Sequence, residues 1–218
     1  LAGGYTETAY PFGGVLENLN TEKINEMAIS ELYTAFLNSI SSNFSGTQDS
    51  SISGVIEIMK ELKETPVSGR VSAEFNLSKL RANSDLDIKL QDGDKITIPE
   101  MLDHVYIYGE VSSQGTVKFQ ADKYYKHYID LKGGFSKNAD DRAVFILQPN
   151  GETIRINNAR NLFMAQGKGE IDIYPGSVIF VPRKAGNALV ATQTAQAYAA
   201  ILGNIGVSLA SLSVLKDW

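Results

Sequence analysis

The sequence predicts an α+β chain: two copies of one small β-rich module, the first truncated, followed by a long uncharged helix. Three observations predict it. First, Leu1-Ala2-Gly3-Gly4-Tyr5-Thr6-Glu7-Thr8-Ala9 returns as Leu131-Lys132-Gly133-Gly134-Phe135-Ser136-Lys137-Asn138-Ala139, the pattern Leu-x-Gly-Gly-aromatic-Ser/Thr-x-x-Ala in both. Second, each copy closes on a turn glycine, a β-type run and a proline: Gly93-Asp94-Lys95-Ile96-Thr97-Ile98-Pro99 and Gly176-Ser177-Val178-Ile179-Phe180-Val181-Pro182. Third, the 31 residues from Ala185 to Leu215 carry no charge and no histidine, in a chain that is 21% charged.

The repeated phrases have a backbone rationale. Gly-Gly after an apolar helical stretch supplies the positive φ that ends a helix. Asp-Gly and Pro-Gly are turn dipeptides that launch a strand, and the closing proline cannot donate to a ladder.

In the first copy, spanning 1–102, a helical hairpin at about 21–65 interrupts the β-rich part. Thr21 is the expected cap of a helix with apolar Ile24, Met27, Ala28, Leu32, Ala35 and Phe36. Ser41 to Ser51 reads as a polar loop, and Ser51 as the cap of a second helix with Ile52, Val55, Ile56, Met59 and Leu62. Gly69 to Phe75 returns to period two. The opening strands of this copy are missing.

The second copy, 103–184, reads as complete. Val105 to Val111 alternates as a strand should, Ser113-Gln114-Gly115 is a turn, and Thr116 to Phe119 returns. Tyr124 to Leu131 is a short helix ended by Gly133-Gly134. Ala143–Gln148 and Glu152–Ile156 make a hairpin around Pro149-Asn150-Gly151. Asn158 to Gln166 is a weak helical turn and Gly176 to Arg183 the last strand.

The third segment, 185–218, reads as an amphipathic, membrane-spanning helix. It is rich in Ala and free of Pro. At 1.5 Å per residue it is about 40 Å long, enough for a hydrocarbon core of roughly 30 Å. Tyr198, Leu202, Ile205, Leu209 and Leu212 share one face, with Trp218 beyond them as an interface residue, and these are the lipid-facing candidates. Gln193, Gln196, Ala200, Asn204, Ser208 and Ser211 fall near the other face. A lone helix would pay for burying that polar stripe in lipid, whereas several copies around a water-filled lumen would wet it. Gln193, Gln196, Asn204, Ser208 and Ser211 are therefore the pore-lining candidates. Packing of the helix on its own domain or on a partner is the alternative.

Composition excludes several classes. A net charge of −5 with no basic run argues against a nucleic-acid partner. The absence of cysteine excludes disulfides, thiolate metal sites and cysteine nucleophiles. The first residues show no Met start and no secretory pattern, so the chain is expected to be the outer part of a longer protein.

The Gly109-Glu110-Val111 strand, the Leu-x-Gly-Gly-aromatic phrase and the closing Gly-x-x-Ile-x-Val/Ile-Pro phrase together resemble the soluble-ligand-binding β-grasp (SLBB) domain. Their duplication, the helical insertion, the Gly69-Arg70-Val71 strand and the uncharged tail resemble the outer-membrane polysaccharide export family, the Wza-type translocons. That resemblance implies a non-enzymatic conduit for capsular or extracellular polysaccharide. It implies a homo-oligomeric ring, commonly octameric, with β-grasp domains in the periplasm and C-terminal helices forming a pore through the outer membrane. It also implies an inner-membrane polysaccharide co-polymerase as partner. The family's N-terminal export domain and lipidated cysteine have no counterpart in this sequence. A soluble glycan- or ligand-binding module and a non-conducting envelope scaffold are the competing functions.

No catalytic site, metal or cofactor is expected. His104 and His127 lack ligand spacing. Asp92-Gly93-Asp94 is a turn rather than a calcium loop. Asp140-Asp141-Arg142 pairs locally in preference to forming a glycosidase carboxylate pair. No nucleophile elbow, P-loop or dinucleotide fingerprint occurs. Tyr106, Tyr108, Tyr124, Tyr125 and Tyr128 could stack on sugars, but core or interface packing is the stronger reading of Tyr106 and Tyr108, which share one strand face.

Overall fold

The computed structural model describes residues 4–43, 60, 67, 69–157 and 171–184. Two sheets carry the described residues. The first has three strands, β1 (Val15–Glu17), β2 (Arg70–Val71) and β3 (Lys95–Thr97), in the order β2-β1-β3. The second has five: β4 (His104–Gly109), β5 (Gly115–Lys118), β6 (Ala143–Leu147), β7 (Thr153–Asn157) and β8 (Val178–Val181), in the order β5-β4-β8-β6-β7. Only β4 and β8 run parallel; the other neighbours are antiparallel. A mixed sheet bearing one short helix is consistent with a β-grasp-like fold.

Among the described residues the sheets are accompanied by helices α1 (Leu19–Asn43), α2 (Leu77–Ala82) and α3 (Tyr125–Leu131). Tyr128 and Ile129 of α3 are fully buried against Val105, Ile107, Val144, Ile146, Ile179 and Val181. These strand residues alternate with ones on the opposite face, as period two requires. On that opposite face Tyr108, Phe180, Phe145 and Arg155 stand in one row across four strands. Phe145 is fully buried there. All five residues of β6 are buried, which explains why Ala-Val-Phe-Ile-Leu is a continuous apolar run.

Every register pair of the first sheet recurs in the second. Positions before the insertion correspond at an offset of 130 residues and positions after it at 83, as Gly4 to Gly134 and Glu100 to Arg183 show. Leu16 pairs Ile96 as Ile146 pairs Ile179, and Leu16 pairs Val71 as Ile146 pairs Ile154. The isolated bridge Ala9–Glu100 matches Ala139–Arg183. The Tyr10 N–H donates to the Pro99 carbonyl at 2.8 Å, as Asp140 donates to Pro182 at 2.8 Å.

The same correspondence locates the insertion. The Gln148 N–H donates to the Glu152 carbonyl at 2.8 Å across the β6–β7 turn, and the Asn18 N–H donates to the Gly69 carbonyl at 2.8 Å. Residues 19–68 thus stand where the second sheet has only Pro149-Asn150-Gly151.

Several expectations are corrected. Asn18, not Thr21, caps α1: its Oδ1 accepts from the N–H groups of Asn20 at 2.9 Å and Thr21 at 3.1 Å. Helix α1 continues to Asn43, past Ser41, because nothing in Ser41-Ser42-Asn43 forces a break. Ile24 and Met27 are 63% and 66% exposed, so these apolar positions meet no core. The strand expected over Gly69–Phe75 is only Arg70–Val71; Phe75 leaves the ladder and is buried beside Gly14. Helix α2, unforeseen, is capped by Asn76, whose side chain accepts from Ser78 and Lys79. The second helix expected from Ser51 and the weak helical turn at Asn158–Gln166 lie outside the described residues, Lys60 excepted, which is helical.

Candidate functional site

The pore-lining residues Gln193, Gln196, Asn204, Ser208 and Ser211 and the lipid-facing residues Tyr198, Leu202, Ile205, Leu209, Leu212 and Trp218 all lie outside the described residues. Among the described residues no helix is long and apolar enough to cross a membrane. What the structure does show is the foot from which that segment departs.

The foot is a clasp around Glu110. Its Oε2 accepts from Ser136 Oγ at 2.6 Å and its Oε1 from Arg183 Nε at 2.7 Å. Backbone bonds surround it: Glu110 N–H to the Val181 carbonyl at 2.8 Å, Ser136 N–H to the Glu110 carbonyl at 3.0 Å, and Lys184 N–H to the Asn138 carbonyl at 2.7 Å. The Gly-Glu-Val and Gly-Gly-aromatic-Ser phrases therefore converge on one corner. Their polar atoms are spent on holding the end of β8. The clasp positions chain.

The Ser136 hydroxyl holds the Glu110 carboxyl below its ordinary value; burial opposes this, and Arg183 adds to the lowering. A group depressed in the folded state stabilises above its unfolded pKa and loses that contribution as pH falls through the folded one. Glu110→Gln is accordingly expected to flatten part of the stability loss below about pH 4.5, read as urea midpoints across pH. Glu74, also depressed by the Asn76 backbone bond ahead of its pair with Lys79, supplies a residual acid dependence.

A second feature joins the two sheets. An Arg70 Nη donates to the Pro149 carbonyl at 3.1 Å and to the Gly14 carbonyl at 3.4 Å. Burial lowers its pKa to about 10, with Glu17 acting in the opposite direction, so the guanidinium stays charged at neutral pH. The rings of Phe12 and Tyr174, one from each module, also meet at 4.4 Å. Burial, with Tyr174 nearby, pushes the Tyr10 phenol up to about 12. Arg70→Ala leaves two carbonyls without their charged donor. It is expected to cost about 1.5–3 kcal/mol in thermal denaturation and to expose the seam to limited proteolysis.

The polar residues weighed in the sequence are bound locally. The Asp94 carboxylate accepts from the Gln91 N–H at 2.8 Å and from the Asn18 side chain, so Asp92-Gly93-Asp94 is a turn. At the corresponding positions the Ser177 hydroxyl donates to Gln148 Oε1 at 2.6 Å, linking the same two positions in the opposite sense. Asp140 accepts from the Arg142 N–H at 3.2 Å. His104 meets Asp103 at 2.8 Å and His127 meets Gln120 at 3.2 Å. No metal-holding group of carboxylates and histidines occurs among the described residues. Tyr128 leaves the sugar-stacking set: it is buried, and its hydroxyl donates to the Gln120 carbonyl at 2.8 Å. Tyr106 and Tyr108 are half-buried in the row with Val178 and Phe180.

The chain is similar to the polysialic acid transport protein KpsD of Escherichia coli. Two curated KpsD sequences each match with 29% identity over 93 residues. The match covers 42% of this chain and 16% of either relative, so the chain spans only a small part of KpsD's length. No family model matches the chain.

Proposed function

We propose that this chain is part of a polysaccharide-export apparatus of the bacterial envelope. The likeness to a polysialic acid transport protein over 93 residues carries the reading. The finer proposal is a non-enzymatic ring in the outer membrane, of the Wza type. The β-grasp-like modules stand in the periplasm as its wall, and residues 185–218 form the pore. Its cargo is a capsular or extracellular polysaccharide, delivered through an inner-membrane co-polymerase. The clasp supports this reading, because it ties Arg183 and Lys184, the last described residues before the tail, to the wall. Neutral amides and hydroxyls on the tail suit a lumen that passes a hydrated polymer without holding it.

The test is mass measurement in detergent, with and without the residues after Arg183. The expected result is a closed oligomer for the chain carrying its tail, and loss of that oligomer on truncation. A strict monomer with the tail present argues against a conduit. Saturable oligosaccharide binding by that monomer, unaffected by truncation, points instead to a glycan-binding module.

A further inference from the structure

The second module carries charge that its fold does not use. Residues 1–102 hold fifteen Asp and Glu against eight Lys and Arg. Between Gly115 and Ala139 the balance reverses, with five lysines against two aspartates. None of these five lysines forms an ion pair among the described residues, whereas Lys79, Lys95, Arg142 and Arg183 each do.

At the centre of this stretch stands Lys123-Tyr124-Tyr125-Lys126, the turn into α3 and its first residues. The inward side is committed to the fold: Tyr128 and Ile129 are fully buried, and Tyr125 packs in part on the same core cluster. On the outward side Lys123 and Lys126 are exposed, and Tyr124 is 40% exposed. Lys126 Nζ lies 6.0 Å from the centroid of the Tyr125 ring. Backbone bonds pin the segment at both ends. The Phe119 N–H donates to the Asp103 carbonyl at 2.7 Å, and the His127 N–H to the Tyr124 carbonyl at 3.0 Å. Between them the Gln120 N–H donates to the Tyr128 hydroxyl at 3.1 Å. Asp122, at φ +58°, is the one non-glycine with positive φ among the described residues. The surface is therefore ordered before any ligand arrives, which lowers the cost of binding.

Cations interleaved with aromatic rings suit a sugar polymer that bears carboxylates. Ammonium groups meet the carboxylates, and a tyrosine face meets the apolar face of a sugar ring. We propose that Lys123, Tyr124 and Lys126 form a contact site for an acidic polysaccharide on the second module. The proposal rests on the export reading and adds the chemistry of the polymer and a place where the wall touches it. Asp122 and Asp130 flank the lysines and keep the attraction weak, as a polymer that must move on requires.

The test is binding of the 218-residue chain, in a neutral detergent, to immobilised hyaluronate, with dextran as the uncharged surface. Saturable binding to hyaluronate but not to dextran is expected, weakening at least about 10-fold between roughly 50 and 200 mM salt. Lys123→Glu with Lys126→Glu should lower the affinity by at least about 10-fold. Lys23→Glu with Lys89→Glu makes the same change of charge at exposed sites of the first module, and should bind as the parent does. Tyr124→Ala removes no side-chain cap from α3, and should weaken binding several-fold at both salt concentrations. The proposal is overturned by failure to bind hyaluronate, by equal binding to dextran, or by parent-like binding of the Lys123/Lys126 or Tyr124 variant. An equal loss in the Lys23/Lys89 variant overturns it too, since net charge alone would then explain the attraction. Displacement by micelles doped with an anionic phospholipid, where undoped micelles do nothing, would assign the patch to a lipid surface instead. A closed ring that binds no hyaluronate sinks this proposal and spares the export reading. A monomer that binds it sinks the export reading and leaves the site.

Discussion

Gly109→Ala is expected to destabilise the second module by about 3–5 kcal/mol. Two effects combine. Gly109 has φ +87°, a region that costs an alanine roughly 1–2 kcal/mol. Its added Cβ would also land on the Val181 carbonyl oxygen, with the Phe180 ring 3.2 Å away. That oxygen belongs to backbone and accepts the Glu110 N–H at 2.8 Å, so it cannot swing aside without opening β4 from β8. The central seam of the sheet and the Glu110 clasp fail together. Gly134→Ala is the control: φ is +83° there, yet nothing lies within 4 Å of the new Cβ. It should cost only about 1–2 kcal/mol. Thermal and urea denaturation followed by circular dichroism distinguish the two. Equal, small losses would mean that the β4–β8 seam tolerates a shift that its geometry does not suggest.

Such a domain has only about 5–15 kcal/mol to lose. Phrases that recur in sequence are therefore informative when they mark backbone positions with no alternative residue. This is why the repeat was legible before any coordinates. Gly133-Gly134 and the Pro149-Asn150-Gly151 turn each announce a backbone conformation through local chemistry, and the structure places positive φ at Gly133, Gly134 and Gly151; the positive φ of Gly109, read as an ordinary strand residue, was not announced. Strand β4 was legible from alternation, and β6 and β7 from the turn dipeptides between them.

What the sequence hid is long-range. Asn18 reaches Asp94 across 76 positions, and Ser177 reaches Gln148 across 29. The residue types differ, so no identity match flags the shared link. Asn18 also caps α1, which made Thr21 a reasonable but wrong choice one turn inside the helix. The Arg70 latch joins residues that only the packed sheets bring together. The tail was read from missing charge, a compositional signal. Its foot at Glu110 and Arg183 depends on a contact across 73 positions and could not be read that way.

Ile179→Ala and Ile96→Ala form the second large prediction, because the two residues share one register position and differ only in what surrounds them. Ile179 is fully buried in the cluster with Ile107, Ile129 and Ile146. Its truncation leaves a cavity between sheet and helix and is expected to cost about 2–5 kcal/mol. Ile96 pairs Leu16 in the same register, but it is 45% exposed. Its truncation removes surface that water already touches and should cost less than about 1 kcal/mol. The neighbouring pairs show the same contrast. Leu147 faces Val178 where Glu17 faces Lys95 at 3.4 Å, an apolar pair replaced by an exposed ion pair. Urea midpoints of both variants in the 218-residue chain measure the difference directly. Losses of similar size would mean that β3 is already covered and that the two edges are equivalent. A large loss at Ile179 alone would mean that identical pairing geometry stabilises only where strand β4 and helix α3 complete the core.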